Sequence, residues 1–288
     1  MGKLSGYLRL MRPVNCLMMG FAVIVGAALV SSKLTNVLWS NLLYGFITGF
    51  MLTAASMAIN DYYDREIDAI NEPNRPIPSG VIKPKETLVF AFILTSIGFA
   101  TAYLTNPANF ICLITAIISW AISVTYVTVG KGTGLLGNFL VSLCVATPFL
   151  YGNLAVTNWI ESNVLIFASM AFLSNTGREI TKGIVDVKGD KTQNVKTLAV
   201  RFGEKAAAVA ATLFYLSAVL LSPIPLLLNL VSLWFIPFVA VTDFGLAASS
   251  FMLLKDYSRE NARKVKKMVL LWFIVGLLAF VIGASMNR

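Results

Sequence analysis

The residues of this chain best suited to chemistry are acids, and they are grouped. Five of the 14 acidic residues, Asp61, Asp64, Glu66, Asp68 and Glu72, fall in the stretch NDYYDREIDAINEPNRPIPSG that begins at Asn60. Three more, Glu179, Asp186 and Asp190, fall in REITKGIVDVKGD. On a helix each four-residue step advances about 40° around the axis, so Asn60, Asp64 and Asp68 form one slowly winding stripe. Asp186 and Asp190 repeat that spacing. Like charges stacked this way repel by a few tenths of a kcal/mol each, and by more beside a low-dielectric medium. Something cationic must offset the repulsion, and a divalent cation of the magnesium type does so with one or two carboxylates, waters and substrate phosphate oxygens. Either cluster alone is compatible with solvated loop charge, but two clusters of matched spacing are not a loop pattern. The chain has no histidine. That excludes imidazole-based triads, histidine zinc sites and histidine-ligated haem, and leaves oxygen ligands for any metal.

Bases are interleaved with these acids. Arg65 and Arg75 lie by the first cluster, Arg178, Lys182 and Lys188 by the second, and Lys131 in GKGTGLLGN between them. Acids that hold a metal beside bases that hold an anion describe a diphosphate site, where magnesium and guanidinium groups neutralise the charge growing on a leaving group. The glycine-rich segment does not follow the G-x-x-x-x-G-K-[ST] order of a phosphate-binding loop and no strand precedes it. It reads as a tight turn between helices, with Lys131 free to point into the site.

The elements that must position these groups are membrane helices. Of the 288 residues, 57% are hydrophobic and only 13% charged, which is the composition of an integral membrane protein. Apolar windows of about 18 to 25 residues recur near 14–31, 38–59, 86–105, 108–129, 135–156, 160–180, 205–227, 229–253 and 268–286. The predicted fold is therefore all-α: nine transmembrane helices in one domain, 1–288. Basic residues follow the positive-inside rule if the N-terminus is cytoplasmic, since all but Lys33 and Arg288 of the 23 lysines and arginines then face inward. The net charge of +9 thus reads as topology rather than as a nucleic-acid signal. Both acid clusters fall on the cytoplasmic side of a multi-pass protein of the cell membrane. The run Arg263, Lys264, Lys266, Lys267 is expected to rest near anionic lipid headgroups. Cys16, Cys112 and Cys144 sit singly in apolar runs and read as packing residues. Asp243, inside the eighth apolar window, is the one feature that favours a transporter of anionic lipids or metabolites.

At the clustered residues the chain resembles the UbiA-type intramembrane prenyltransferases. Asn60, Asp61, Asp64 and Asp68 fill that family's N-D-x-x-D-x-x-x-D motif, and Asp186 with Asp190 fills its second D-x-x-x-D motif. RPVN from Arg12, NRPIPSG from Asn74, and Tyr126 with Lys131 are similar to family positions as well. Gly183 and Val185 depart from it, standing where many relatives carry further acids. The resemblance implies nine helices around a central lipid-facing cavity, two magnesium ions, and transfer of a prenyl group from a polyprenyl diphosphate. It implies a metal-binding set of Asn60, Asp61, Asp64, Asp68, Asp186 and Asp190. Asn60, Asp64 and Asp68 hold one ion and Asp186 with Asp190 the other. Arg65, Lys131, Arg178 and Lys182 are expected on the diphosphate, with Asn15 and Tyr126 lining the cavity near the allylic carbon. An allylic diphosphate that ionises leaves a carbocation that water would quench, so a water-poor cavity belongs to the chemistry. Members of the family prenylate aromatic rings, porphyrin-type carboxylates or the glycerol hydroxyl of a phosphorylated archaeal ether-lipid precursor. The opening MRPVNCLMMG and the compact second motif are most similar to the last branch, which moves a geranylgeranyl group from geranylgeranyl diphosphate to geranylgeranylglyceryl phosphate. An aromatic acceptor such as 4-hydroxybenzoate or a naphthoate stands as the alternative. A lipid-like acceptor bearing its own phosphate needs further cations, for which Arg75, Lys83 and Lys188 are candidates.

Overall fold

Prolines, glycines and paired polar groups set where the helices of this chain begin and bend. The protein is described by a computed structural model for residues 2–30, 39–192 and 195–285; Lys33 and Arg288, the two bases expected on the outer side, lie outside the described residues. Among the described residues there is no strand. The helices are α1 (Lys3–Met11), α2 (Pro13–Ala28), α3 (Trp39–Tyr63), α4 (Arg65–Asn71), α5 (Pro84–Thr105), α6 (Ile111–Thr128), α7 (Leu135–Leu154), α8 (Ser162–Thr192), α9 (Leu198–Leu221), α10 (Ile224–Leu227), α11 (Phe235–Lys255) and α12 (Arg259–Ser285). A short 3₁₀ turn, Gly130–Thr133, joins α6 to α7.

Pro13 and Pro84 open α2 and α5 at the first helical position, where a missing N–H costs nothing. The Glu86 carboxylate accepts from the Lys83 N–H at 3.1 Å to complete the start of α5. Arg12, between α1 and α2, takes a left-handed conformation (φ 52°), and the two helices meet there at a 43° bend. A non-glycine residue holds that conformation only when its surroundings fix it, and the Arg12 guanidinium is anchored on Asp61 at 2.5 Å.

Among the described residues, seven helices are long and apolar enough to cross a membrane: α3, α5, α6, α7, α9 continued through α10, α11 and α12; the bent α1–α2 pair raises this to eight. Large apolar side chains face outward from them, including Phe92, Leu220, Phe244 and Phe251, as lipid-facing residues do. Inward, α2 lies against α3 and α7, α8 against α7 and α9, and α12 against α11 and α8. Small residues let the backbones approach: a Cβ on Gly26 would meet Phe149 O at 2.0 Å, and one on Gly152 would meet Val23 O at 1.8 Å. Tyr215, fully buried in α9, packs on Gly177 and shares a 2.9 Å hydrogen bond with Thr181 of α8.

Each of the nine apolar windows finds a helix, but two helices run well past the apolar limit. α8 continues through the whole second acid motif to Thr192, and α12 begins at Arg259 rather than near 268. Both extensions are charged, and they are tied to each other and to α4 through Arg259, which donates to Val185 O and Asn71 O.

A candidate active site where two acid motifs meet

The first motif straddles a small break in the helix. α3 ends at Tyr63 and α4 starts at Arg65, with Asp64 between them (φ −84°, ψ 0°). Hydrogen bonds from Asp64 N to Asn60 O (2.9 Å) and from Asp68 N to Asp64 O (2.7 Å) carry the helical spacing across. Asn60, Asp61, Asp64 and Asp68 therefore stay in register, and all four are buried. Buried carboxylates are stable only when paired, and each of these is. Asp61 receives Arg12 at 2.5 Å and Arg75 at 3.3 Å. Asp64 receives Lys131 at 2.5 Å and the Asn60 amide at 2.8 Å. Asp68 receives Arg75 at 2.5 Å. Burial nevertheless pushes the Asp68 carboxyl up to about 6; the Arg75 guanidinium opposes this, and the neighbouring charges of Asp64 and Asp61 add to it.

The second motif comes from α8 and faces the first. Asp190 is buried and lies in the fields of Asp186, Lys131, Lys182 and Asp64, while Arg75 lies in the field of Asp186 as well as of Asp61 and Asp68. Asn71, at the end of α4, bridges the two segments by packing on Gly189 and donating to Asp186 O at 3.4 Å. A deeper turn of α8 carries Glu179, which accepts from Lys182 at 3.2 Å and Arg178 at 3.4 Å. Tyr126 is buried beside this group, within the fields of Lys182, Glu179 and Asp64.

From this charged end a cavity runs into the bundle, enclosing about 1680 Å³ with its open mouth included. Asn15, Ser56, Ser123, Asn175, Arg178 and Glu179 line it near the charged end, and Met18, Leu52, Trp120, Phe149, Leu246 and Phe280 make up much of its apolar wall. Asp243 lines it too, held by the Ser222 hydroxyl at 2.5 Å, so this acid has a fixed neighbour within the bundle.

The structure brings Asn60, Asp61, Asp64, Asp68, Arg75, Tyr126, Lys131, Lys182, Asp186 and Asp190 into one linked cluster, and Asn15 and Arg178 are the members of the predicted set that line the cavity beside it. It does not bring in Arg65, Lys83 or Lys188. Arg65 lies over the Tyr62 ring and donates to Tyr62 O at 2.8 Å. Lys83 and Lys188 are exposed.

Sequence reasoning missed four contributors. Arg12, noted only within RPVN and the charge balance, holds Asp61. The basic run of α12 was expected at the lipid surface, yet only Lys264 and Lys267 are exposed. Arg263 reaches Glu72 at 2.6 Å, and Arg259 donates to both Val185 O (2.9 Å) and Asn71 O (3.3 Å), pinning the two motif segments to each other. Lys266 faces Asp186, Lys182, Arg178 and Glu179. The spacing 259, 263, 266 is a helical stripe, and that periodicity was the available signal. The stripe precedes the apolar window that begins near 268, so hydropathy alone does not mark it as helical.

Among the described residues no three acids converge closely enough to chelate a cation as they stand. Their positions are taken by Lys131, Arg75 and Arg12 instead. The donor set still suits a hard divalent cation: carboxylates and amide oxygens only, on two facing segments, with Asn71 Oδ1 between them buried and without a partner.

The chain is similar to known proteins over nearly its whole length. Residues 19–285 match the UbiA prenyltransferase family. The chain is 40% identical over 292 residues to the digeranylgeranylglyceryl phosphate synthase of Archaeoglobus fulgidus, covering 99% of this chain and 98% of that one. Among solved structures, one concerned with digeranylgeranylglyceryl phosphate synthase in membranes is 33% identical with a TM-score of 0.72, covering 99% of each chain. A UbiA homolog from Archaeoglobus fulgidus bound to GPP and Mg2+ shares the fold at 17% identity, with a TM-score of 0.64 over 96% of this chain and 100% of that one.

Proposed function

Because the chain belongs to the UbiA prenyltransferase family, we propose that it transfers a geranylgeranyl group from geranylgeranyl diphosphate to the glycerol hydroxyl of geranylgeranylglyceryl phosphate, in archaeal ether-lipid synthesis. The observation that carries the reading is the meeting of two acid motifs and their cations beside an apolar cavity that Arg178 and Glu179 line. The acceptor rests on the curated relatives, which include digeranylgeranylglyceryl phosphate synthases across nearly the full length of this chain. Binding of GPP and Mg2+ by a relative of the same fold supports the donor class and the metal.

Asn60, Asp64 and Asp68 hold one magnesium ion and Asp186 with Asp190 a second. Asp61, already held by two guanidiniums, fixes Arg12 and Arg75 in place rather than serving as a ligand. Bound magnesium supplies positive charge to the diphosphate as it departs. Lys131 and Arg75, released from Asp64 and Asp68 when those carboxylates take up metal, turn to the diphosphate oxygens, where charge-assisted bonds strengthen as the leaving group gains charge. The allylic C–O bond breaks with its electron pair on the diphosphate. The acceptor hydroxyl oxygen then bonds the allylic carbon, and its proton passes to the released diphosphate. The apolar wall excludes water for the lifetime of the cation and holds both prenyl chains. Purified protein given labelled geranylgeranyl diphosphate and magnesium should prenylate geranylgeranylglyceryl phosphate and leave 4-hydroxybenzoate and 1,4-dihydroxy-2-naphthoate unreacted. Product on either aromatic acid with none on the glyceryl phosphate would sink the acceptor assignment, and release of no diphosphate with any acceptor would sink the enzyme class.

The same proposal covers topology. α8 is 31 residues, about 46 Å, long enough to cross a bilayer, and its polar second half carries the second acid motif. Counted as a span, it makes the bundle nine helices, all in one domain of residues 1–288. The N-terminus and the site then lie on the cytoplasmic side of the cell membrane. A membrane-impermeant thiol reagent should label Asn158→Cys from outside in intact cells and Tyr257→Cys only after the cells are opened. Labelling of both in intact cells would contradict this orientation.

A further inference from the structure

The site holds one cation that has no acid of its own. Arg12 and Arg75 share Asp61 and Asp68, and Lys131 has Asp64. Arg178 and Lys182 share the single carboxylate of Glu179, and the Arg178 contact is long, at 3.4 Å. The Nε of Arg178 is buried without a partner. Lys266, reaching in from α12, lies in the fields of Asp186, Glu179, Arg178 and Lys182, yet no ion pair within 4.0 Å joins it to any acid among the described residues. Its neighbours in the same basic run, Lys264 and Lys267, are exposed on the other side of the helix, so the inward turn of Lys266 is not a property of the run as a whole.

Two carboxylates face these three cations, Glu179 and Asp186; with Asp186 assigned to metal, Glu179 alone remains and the α8–α12 wall carries a surplus of two positive charges. A phosphate monoester carries about 1.5 to 2 negative charges near neutral pH and offers three acceptor oxygens. Arg178 and Glu179 also line the cavity, so an anion held there has its hydrocarbon part directed along the apolar wall. The donor diphosphate is served from the facing wall by Lys131 and Arg75, which occupy the carboxylates that metal would claim. The two anions of the reaction thus have separate sets of cations on opposite sides of the cavity mouth.

We propose that Lys266, together with Arg178 and Lys182, forms the subsite for the phosphate monoester of the acceptor lipid, with Lys266 as a residue that determines specificity for a phosphorylated acceptor. This rests on the reading of the chain as a glyceryl phosphate prenyltransferase. It moves the acceptor phosphate away from Arg75, which serves the donor diphosphate, and from Lys83 and Lys188, which the fold leaves exposed. The subsite spans two helices, and α12 supplies the one cation that the paired acids do not already occupy.

The test is a steady-state comparison of Lys266→Gln, Lys266→Arg and the control Lys267→Gln with wild type, varying geranylgeranylglyceryl phosphate and geranylgeranyl diphosphate in turn. Loss of one charge-assisted contact is expected to raise the KM for the glyceryl phosphate about ten- to a hundredfold in Lys266→Gln. The KM for the diphosphate in the same variant should change less than about threefold. Both constants come from one protein preparation, so partial misfolding cannot imitate the split. Lys266→Arg should restore most of the acceptor affinity, and Lys267→Gln should match wild type. Equal effects on both substrates, or an effect on the diphosphate alone, would overturn the subsite while leaving the enzyme reading intact. If wild type does not use the glyceryl phosphate at all, the underlying function fails, and that result is visible before any variant is measured.

Discussion

Asp64→Ala and Asp186→Ala each lower turnover at least about a hundredfold, and a chelator abolishes it. The expectation follows from how the two motifs divide the work. Asp64 lies at the break between α3 and α4, buried and bonded to Lys131 and Asn60, and it shares an electrostatic field with Asp190 of the opposing motif. Asp186 stands on the facing wall of α8, where the backbone beside it is pinned by Arg259. Removing either carboxylate takes a charged oxygen ligand from one side of the proposed diphosphate site. The remaining ligands cannot compensate, because they are held on separate helices. Asp64→Ala also empties the space the side chain fills beside Lys131 and Asn60, so Asp64→Asn is the cleaner companion: it keeps nearly the same shape and removes only the charge. Turnover with saturating substrates, together with Mn2+ binding followed by electron paramagnetic resonance, measures both parts of the effect. Near-normal turnover in either position would end the two-motif metal site.

Gly152→Val is expected to abolish stable folding rather than chemistry. The α-carbon of Gly152 lies so close to α2 that a Cβ would sit 1.8 Å from Val23 O and 2.7 Å from Val23 C, and Gly26 makes the reciprocal approach to Phe149. Backbone atoms cannot swing aside as a flexible side chain can, so the helices must separate. Overpacking a tight interface costs about 1 to 3 kcal/mol and more when the backbone itself has to move. The close approach of α2 and α7 is also the kind of small-residue contact that holds membrane helices together where lipid tails compete with apolar side chains. Because α2 carries Asn15 into the cavity and follows directly on Arg12, its displacement disturbs the site as well. Detergent-solubilised Gly152→Val should aggregate or melt well below wild type. Gly132→Ala, whose added Cβ meets nothing within 4 Å, should behave like wild type. A Gly152→Val protein with unaltered melting temperature would show that this helix contact does not govern the fold.

Much of this protein is determined by sequence alone, for physical reasons that are local. A helix that crosses a bilayer must be apolar over about 20 residues, so the helical windows could be located without any knowledge of how they pack. The four-residue spacing of Asp64 with Asp68 and of Asp186 with Asp190 fixes each motif to one helical stripe wherever that helix lies. Their residue types specify hard-cation and anion chemistry, and the absence of histidine removes most alternatives.

Tertiary structure decided what depends on pairs distant in the chain. Whether Asp61 faces a metal or a guanidinium depends on Arg12, 49 positions away, and on the bend that aims it. Whether a lysine of the α12 run meets lipid or the site depends on how that helix is rotated against α8, which composition does not encode: Lys264, Lys266 and Lys267 are chemically identical and only the middle one turns inward. Arg259 joins Asn71 to Val185 across 188 and 74 positions, contacts that exist only once the bundle has closed. Helical periodicity is a property of neighbours along the chain, whereas the pairing of buried charges is a property of neighbours in space, and for this site the second could be known only after folding had brought the two acid motifs together.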